Sequence, residues 1–513
     1  MKTKGKQVVI KQIVIFYLGS DVMSKKSNYL KSPDLLPVPH SGKTIGTLGF
    51  AFIWVGMAVV LAAFAIGGAG VQNLSLVWVI LGTIIGSILI GLCMTIIGDI
   101  GIEHGLSFPV YMRAPFGTIG THIPSLIRGF AASCWFGINT YFGSTAMNGI
   151  LKILFNFDNW FLCYIIFALV QLINTALGIK AIERFADLAA PIIIIISAWM
   201  YTTLSEKALE EGRHIWSWVE HPATGGAAVT AFIVVIMSNM GFWSTLAADM
   251  PSISRFIKAP KYEKNWFKRN KASIVGNIVA MTITQTFMVV IGAVSYIALQ
   301  NYDPVVALQQ SANGLILGIL LLMIVLAQWS TNTSANVVPA ATIFSNIGGP
   351  KFPFWAGVFT AGIIGTVVQP WSLFNIIIPA LLICGGVLSA IVGILFADYY
   401  LLRKRRVNVY DLYKEDGQYR YFKGFNLAGV IAWIIGGTAA YFLINYSFVV
   451  GFIVGAICYY FLAKYWWFQK YKQAEIEDPD DEKYLGITVG RDWIIDDETI
   501  VSSNIVEAST NSK

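Results

Sequence analysis

Apolar residues run down this chain in stretches of about twenty, the length at which a helix crosses a hydrocarbon core. Twelve such stretches are expected, near 44–70, 74–97, 123–155, 159–178, 185–204, 226–248, 273–299, 314–345, 354–370, 372–397, 425–445 and 447–467. Hydropathy alone reads 354–397 as one long span or two, and the loop charges select two. With the N-terminus inside, only Lys152, Lys207 and Arg213 of the 36 Lys and Arg fall in outer loops, while Arg128 lies within a span. The inner loops hold the rest, among them Lys258, Lys261, Lys264, Lys268, Arg269 and Lys271, and Arg403, Lys404, Arg405 and Arg406. This positive-inside pattern requires an even number of spans and two cytoplasmic tails.

Three spans break their own apolar pattern. In lipid, irregular backbone survives only where protein or a wet cavity satisfies it. The first span, TLGFAFIWVGMAVVLAAFAIGGAG, carries Gly56 near its middle. The sixth, VVIMSNMGFWSTLAADM, carries Ser238, Asn239 and Gly241. Glycine interruptions five spans apart predict broken helices in the two halves of an inverted repeat; small-residue helix packing is the competing explanation. The eighth span concentrates Gln328, Ser330, Thr331, Asn332, Thr333, Ser334 and Asn336 in LAQWSTNTSANVVPA. Polar groups are costly against lipid, so this run is expected to face protein or a cavity. The adjacent hydroxyls of Ser330 and Thr331 suit a hard cation such as sodium. In the third span, CWFGINTYFGS, Trp135 and Asn139 stand four apart on one helix face, where a flat heterocycle could stack and hydrogen-bond. Trp243, beside the glycine of the sixth span, has the same potential.

Composition fits a membrane protein, with 56% hydrophobic and 13% charged residues. The net charge of +7 then reports topology rather than nucleic-acid binding, and its excess is expected to face anionic lipid. Cys93, Cys134, Cys163, Cys384 and Cys458 fall inside spans without paired spacing and read as packing residues. The histidines show no metal-ligand spacing. No Walker, HExxH or Gly-x-Ser-x-Gly motif occurs, which argues against an ATP-driven pump and a membrane hydrolase. No carboxylate relay lies at mid-span, which makes a sodium site more natural than a proton path.

The organisation expected is a cytoplasmic tail over 1–43, a first repeat over 44–204, an extracellular loop over 205–225 and a second repeat over 226–397. A cytoplasmic basic loop (398–424), two further helices (425–468) and an acidic, partly disordered cytoplasmic tail (469–513) complete it. Residues 1–22 are expected not to be native, because MSKKSNYL from Met23 makes an ordinary cytoplasmic start.

The segments AFIWVGMA (51–58), SFPVYMRAPFGTIGTHIPSLIRGF (107–130), CWFGINTYFGSTAMN (134–148), GFWSTLAADMPSISRF (241–256), LAQWSTNTSANVVPA (326–340) and ADYYLLRKRRVNVYDLY (397–413) carry a resemblance. Together they resemble the nucleobase:cation symporter family, in its branch of bacterial hydantoin, allantoin, cytosine, uracil and purine permeases. The resemblance covers about 40–470. It implies an all-α integral membrane fold of twelve helices: the LeuT-like five-plus-five inverted repeat of the sodium-coupled leucine transporter, followed by two C-terminal helices. It implies a sodium site from the carbonyls of Gly56, Val59 and Ala327 and the hydroxyls of Ser330 and Thr331. It also implies a flat substrate between Trp135 and Trp243, with Asn139, Asn336 and the backbone at Phe242 as polar contacts. Asn336 rests on the resemblance alone, since on an ideal helix it lies about half a turn from the Ala327 face. Relatives usually carry an amide where this chain has Val60, a longer Gln can replace Asn139, and some have Pro at Thr333. These departures bear on which ring is carried rather than on the cation.

The function expected is cation-coupled import, with sodium as coupling ion, of a nucleobase-like ring, allantoin or a hydantoin ahead of uracil, cytosine or a purine. Neither an enzymatic cofactor nor an obligate protein partner is expected. Proton coupling of the same substrates is the nearest rival, ahead of a passive channel and a membrane enzyme.

Overall fold

The structure, a computed structural model, describes residues 30–31, 35–177, 181–349, 352–496 and 499–502; the proposed start at Met23 lies outside these. The first span divides into α1 (Thr47–Ala58) and α2 (Phe64–Gly70), and α3 (Leu76–His104), α4 (His122–Phe155), α5 (Trp160–Leu177) and α6 (Ala181–Glu210) follow. The second half comprises α7 (Gly225–Ser254), α8 (Met281–Leu299), α9 (Gly314–Asn332), α10 (Val338–Gly348), α11 (Phe354–Val367) and α12 (Ile377–Phe396). Last come α13 (Leu427–Phe442) and α14 (Ser447–Leu462). Among the described residues seven helices are long and apolar enough to cross a membrane, or up to eight counting the bent α1–α2 pair as one. Helices α11 and α13 are apolar but shorter, so the count of twelve crossings remains carried by the loop charges.

Helix contacts sort into two bodies. In the first, α2 packs on α8, and α3 on both α7 and α8. In the second, α4 packs on α5, α9 and α11, and α10 on α11. Spans one, two, six and seven thus face spans three, four, eight and nine, the pairing a five-plus-five repeat requires. The first body is tied internally by polar bonds: Trp54 Nε1 donates to Asn277 Oδ1 at 2.6 Å, and Asn277 Nδ2 to Thr95 Oγ1 at 3.2 Å.

The two glycine-marked spans behave differently. The first bends by 64° between α1 and α2. Val59 at the bend has φ −74° and ψ 69°, the inverse γ-turn conformation, and Val60 N–H bonds Ala58 O at 2.8 Å. Ala63 N–H then takes Val60 O, so the carbonyls of Gly56 and Val59 lose the donors an unbroken helix would give them. The sixth span, in contrast, is one continuous helix, α7, and the expected break at Ser238–Gly241 does not occur. Gly241 serves packing instead: a Cβ there would overlap the Leu381 carbonyl, and Gly385 faces it across the interface with α12. Asn239 is spent on interhelical bonds, donating to Thr83 Oγ1 at 3.3 Å and accepting from Gln285 Nε2 at 3.1 Å. Gly56 has open space around its missing Cβ. Gly56→Ala should therefore leave the thermal midpoint unchanged, whereas Gly241→Ala should lower it through the forced separation of α7 from α12, both read in detergent.

The basic end departs from expectation too. Arg269 and Arg403, counted among charges facing lipid, are fully buried in ion pairs with Asp99 and Glu103, and with Asp398 and Glu475. The described tail is docked through Glu475, Thr488 and Trp493, while Glu477, Asp478, Asp480, Asp481 and Glu482 stay exposed. Tyr419 Oη donates to Glu475 at 2.7 Å, Thr488 Oγ1 to Glu103 at 2.6 Å, and Trp493 Nε1 to His104 O at 2.9 Å. A hairpin of β1 (Trp493–Asp496) and β2 (Thr499–Ser502) ends the described tail. Asp492 is partly buried, which would raise its pKa, but the His40 N–H and Lys261 hold it below the ordinary carboxylate range. Burial pushes the Lys43 ammonium, bonded to the carbonyls of Gly101 and Ile102, down to about 8. Glu475→Ala should leave buried Arg403 paired with Asp398 and cost the charged bond to Glu475, about 1.5–3 kcal/mol, visible as a lowered thermal midpoint.

Candidate functional site

Where the two bodies meet, beside the bend of the first span, lies a cavity of about 30 Å³. It is lined by Met57 and Val60 from the bend, Trp135 and Asn139 from α4, Phe242, Trp243, Thr245 and Leu246 from α7, and Thr331, Ala335 and Asn336 from the eighth span. All five residues expected to hold substrate are therefore brought together. One of them presents a different group from the one expected: the backbone of Phe242 runs inside the continuous α7, and its side chain lies against the Trp135 indole at the cavity. That ring stands 4.8 Å from the Trp135 indole and 5.1 Å from that of Trp243, centroid to centroid. Trp243 is backed edge-on by Trp54 at 5.4 Å, whose own bond to Asn277 fixes it.

A π turn puts Thr331 and Asn336 on one wall. Residues five apart on an α-helix are rotated by about 140° from each other. Residues Thr333–Val337, however, form a π-helix, which takes an extra residue into the turn and brings Asn336 round toward the Thr331 side. Asn336 is then held by Asn332, whose Oδ1 accepts from Asn336 Nδ2 at 2.9 Å. Asn332 Nδ2 in turn lies 3.1 Å from Phe136 O and 3.0 Å from both Thr140 Oγ1 and Gln171 Oε1. This anchoring role of Asn332, with Thr140 and Gln171 behind it, escaped sequence reasoning. The i, i+4 spacing of Asn332 and Asn336 was the available signal.

The polar run of the eighth span divides by use. Thr333 Oγ1 bonds Trp329 O and Ser334 Oγ bonds Ser330 O, the ordinary back-bonding of hydroxyls in helices. Among the described residues Ser330 and Thr331 make no such bond. Ala327, Ser330 and Thr331 share one face of α9 by their i, i+3, i+4 spacing. Thr331 also lines the same cavity as Met57 and Val60, which adjoin the Gly56 and Val59 carbonyls freed at the bend. The residues expected to hold the ion would offer five neutral oxygens, the chemistry of a hard monovalent cation, and of these residues Thr331 lines the cavity. On the other wall, Asn139 Oδ1 and Trp243 Nε1 are buried without a hydrogen-bond partner. Buried polar atoms are normally satisfied, so this acceptor and this donor, on two residues lining the cavity, are available to a polar partner.

A second void of about 560 Å³ opens at the end away from the basic loops, between α2, α7 and the start of α12, with Ser238 among its lining residues. Ser238 and Phe242 are one turn apart on α7, the first lining this vestibule and the second the cavity.

A membrane bundle of two interlocked bodies, bent in its first span around a buried polar cavity, defines a multi-pass transporter rather than an enzyme. Residues 37–467 match the family of permeases for cytosine/purines, uracil, thiamine and allantoin, and the chain belongs to that family. It is 26% identical over 436 residues to a hydantoin permease of Microbacterium maritypicum, covering 83% of this chain and 87% of the relative. It is 28% identical to an allantoin permease of Bacillus subtilis (80% and 87% covered) and 30% identical to a purine-uracil permease of Arabidopsis thaliana (79% and 70% covered). Among solved structures, the inward-facing conformation of Mhp1 superposes with a TM-score of 0.78 at 24% identity, covering 85% of this chain and 94% of that one. Mhp1 in a closed conformation with bromovinylhydantoin bound gives 0.77 at 24% identity, with 86% and 97% covered. The LeuT-like fold expected from sequence is thereby established.

Proposed function

We propose that this chain is a cell-membrane importer of one nucleobase-like heterocycle, allantoin or a hydantoin ahead of uracil, cytosine or a purine, driven by sodium symport through alternating access. In this reading the basic end and both termini are cytoplasmic, and the vestibule faces outside. The observation that carries it is the convergence of Trp135, Asn139, Trp243 and Asn336 on one cavity with two unpaired polar atoms. The relatives' names, hydantoin, allantoin and purine-uracil permease, support the substrate class. Sodium is supported by the freed Gly56 and Val59 carbonyls and the unbonded Ser330 and Thr331 hydroxyls; as a co-transported ion it is a substrate.

Coupling follows from shared walls. An ion that draws the bend of the first span toward α9 fixes Met57, Val60 and Thr331 around the ring, so each ligand tightens the other by the same factor. A thermal-shift panel of these heterocycles, with and without sodium, tests the assignment. At least one ring should stabilise the protein, and more so in sodium. No shift with any ring, or equal shifts in sodium and choline, would sink it.

The present cavity is about the volume of one water, about 30 Å³, so a ring enters only once Phe242 swings from between the indoles. Phe242→Ala should therefore widen selection toward two-ring purines, measured as competition against labelled substrate. An unchanged competition profile would show that the Phe242 ring sets no size limit.

A further inference from the structure

Arg128 is a charged residue inside an expected span, and an ionisable group at such depth needs a partner or a function. It is 1% exposed, its Nε lies 3.2 Å from Asp249 Oδ2 on α7, and its Nη2 donates to Ala335 O at 3.4 Å. The Nε approach to Asp249 is an ion pair without the alignment of a hydrogen bond. Three placements give this cluster meaning. Arg128 stands two turns from Trp135 on α4, toward the basic end, and Asp249 one turn beyond cavity-lining Thr245 on α7. Helix α4 belongs to one body and α7 to the other, so the ion pair crosses the seam below the cavity. Ala335 lies within the π turn that aims Asn336 into that cavity.

We propose that Arg128 is a positioning residue that couples substrate occupancy to closure of the cytoplasmic pathway, by joining Asp249 across the seam to the π-turn carbonyl of Ala335. This rests on the importer reading above. With the pair made, the two bodies are held together beneath the substrate and the π turn keeps Asn336 in place. When the bodies part toward the basic end, the guanidinium leaves Asp249, its hold on Ala335 slackens, and Asn336 releases the ring. One side chain thus makes opening and release a single event.

The two bonds can be separated experimentally. Cys384 lies within electrostatic range of Arg128 and serves as the probe of opening once Cys93, Cys134, Cys163 and Cys458 are replaced by Ser. Its alkylation by a water-soluble maleimide is followed in detergent, alongside affinity for the heterocycle that shifts the wild type. Asp249→Asn removes only the seam contact: alkylation should accelerate about tenfold while affinity stays within about twofold. Arg128→Gln removes both and should also weaken binding about tenfold, the loss of a charged hydrogen bond. Arg128→Lys keeps one cation for Asp249 but no second nitrogen for Ala335, so slow alkylation should return without the affinity. A purely structural role would lower the thermal midpoint and affinity in parallel across all three, and that pattern overturns the proposal, as does wild-type alkylation in folded Asp249→Asn. A wild type that binds no ring defeats the importer reading and the release half of the coupling, while the alkylation arm still decides the closure on its own.

Discussion

Replacing either Trp135 or Trp243 by Ala is expected to abolish uptake of the transported ring while membrane expression stays near wild type. Both indoles line the cavity, and stacking a planar base on an aromatic face contributes about 1–3 kcal/mol. Removing one face thus loses about one to two powers of ten in affinity. The cavity left behind also admits water, which weakens every hydrogen bond to the ring from Asn139 and Asn336. Trp243 carries a second consequence. Its unpaired Nε1 gains a partner only when the ring arrives, so Trp243→Phe should keep the stacking and lose part of the affinity. Trp243 also packs against Trp54 and Phe242, so uptake is read per folded protein. Uptake in proteoliposomes, normalised to folded protein by size-exclusion, is the measurement. Wild-type uptake in either Ala variant would remove that indole from the binding site.

How much of this was legible beforehand varies with the physics involved. The spans were legible because apolar length and loop charge act locally along the chain. The bend of the first span was legible as an interruption marked by Gly56, although it falls at Val59, but the same signal failed at Gly241. A glycine that frees backbone and a glycine that admits a neighbouring helix look alike in sequence; only the Leu381 carbonyl facing Gly241 tells them apart. Asn239, expected in a cavity, proved to be a tie between α3, α7 and α8.

Trp135, Asn139 and Trp243 were visible as candidates in residue type and spacing, whereas Phe242 and Asn336 came from resemblance, and spacing alone misplaced Asn336. Its position depends on the π turn at Thr333–Val337, and no periodicity argument assuming 3.6 residues per turn could see it. The Arg128–Asp249 pair was equally hidden: Arg128 was visible as a charge within a span, but its partner is far away in sequence and passes, taken alone, for a charge near a span end. The docked tail shows the same limit. EIEDPDDEK has the composition of a solvated segment, yet its Glu475 is consumed by Arg403 and Tyr419, a complementarity visible only once the two segments meet.

The second large effect concerns the ion. Ser330→Ala combined with Thr331→Ala is expected to abolish the sodium dependence of ring binding while leaving the order of ring preference intact. The back-bonded Thr333 and Ser334 hydroxyls are committed elsewhere, so they do not replace the lost oxygens. Three carbonyls, of Gly56, Val59 and Ala327, would remain, too few for a cation that must exchange its hydration shell for protein oxygens. Reciprocity makes the result quantitative: the factor by which sodium tightens ring binding equals the factor by which the ring tightens sodium, and both should fall to unity together. The wild type should show about a fivefold or larger factor, the lower range of such couplings. Ring preference should hold because Trp135, Asn139, Trp243 and Asn336 are untouched. Titration calorimetry of the ring in sodium and in choline gives both quantities. A double variant with wild-type sodium dependence would place the ion elsewhere, and a wild type indifferent to sodium but responsive to a pH gradient would select proton coupling.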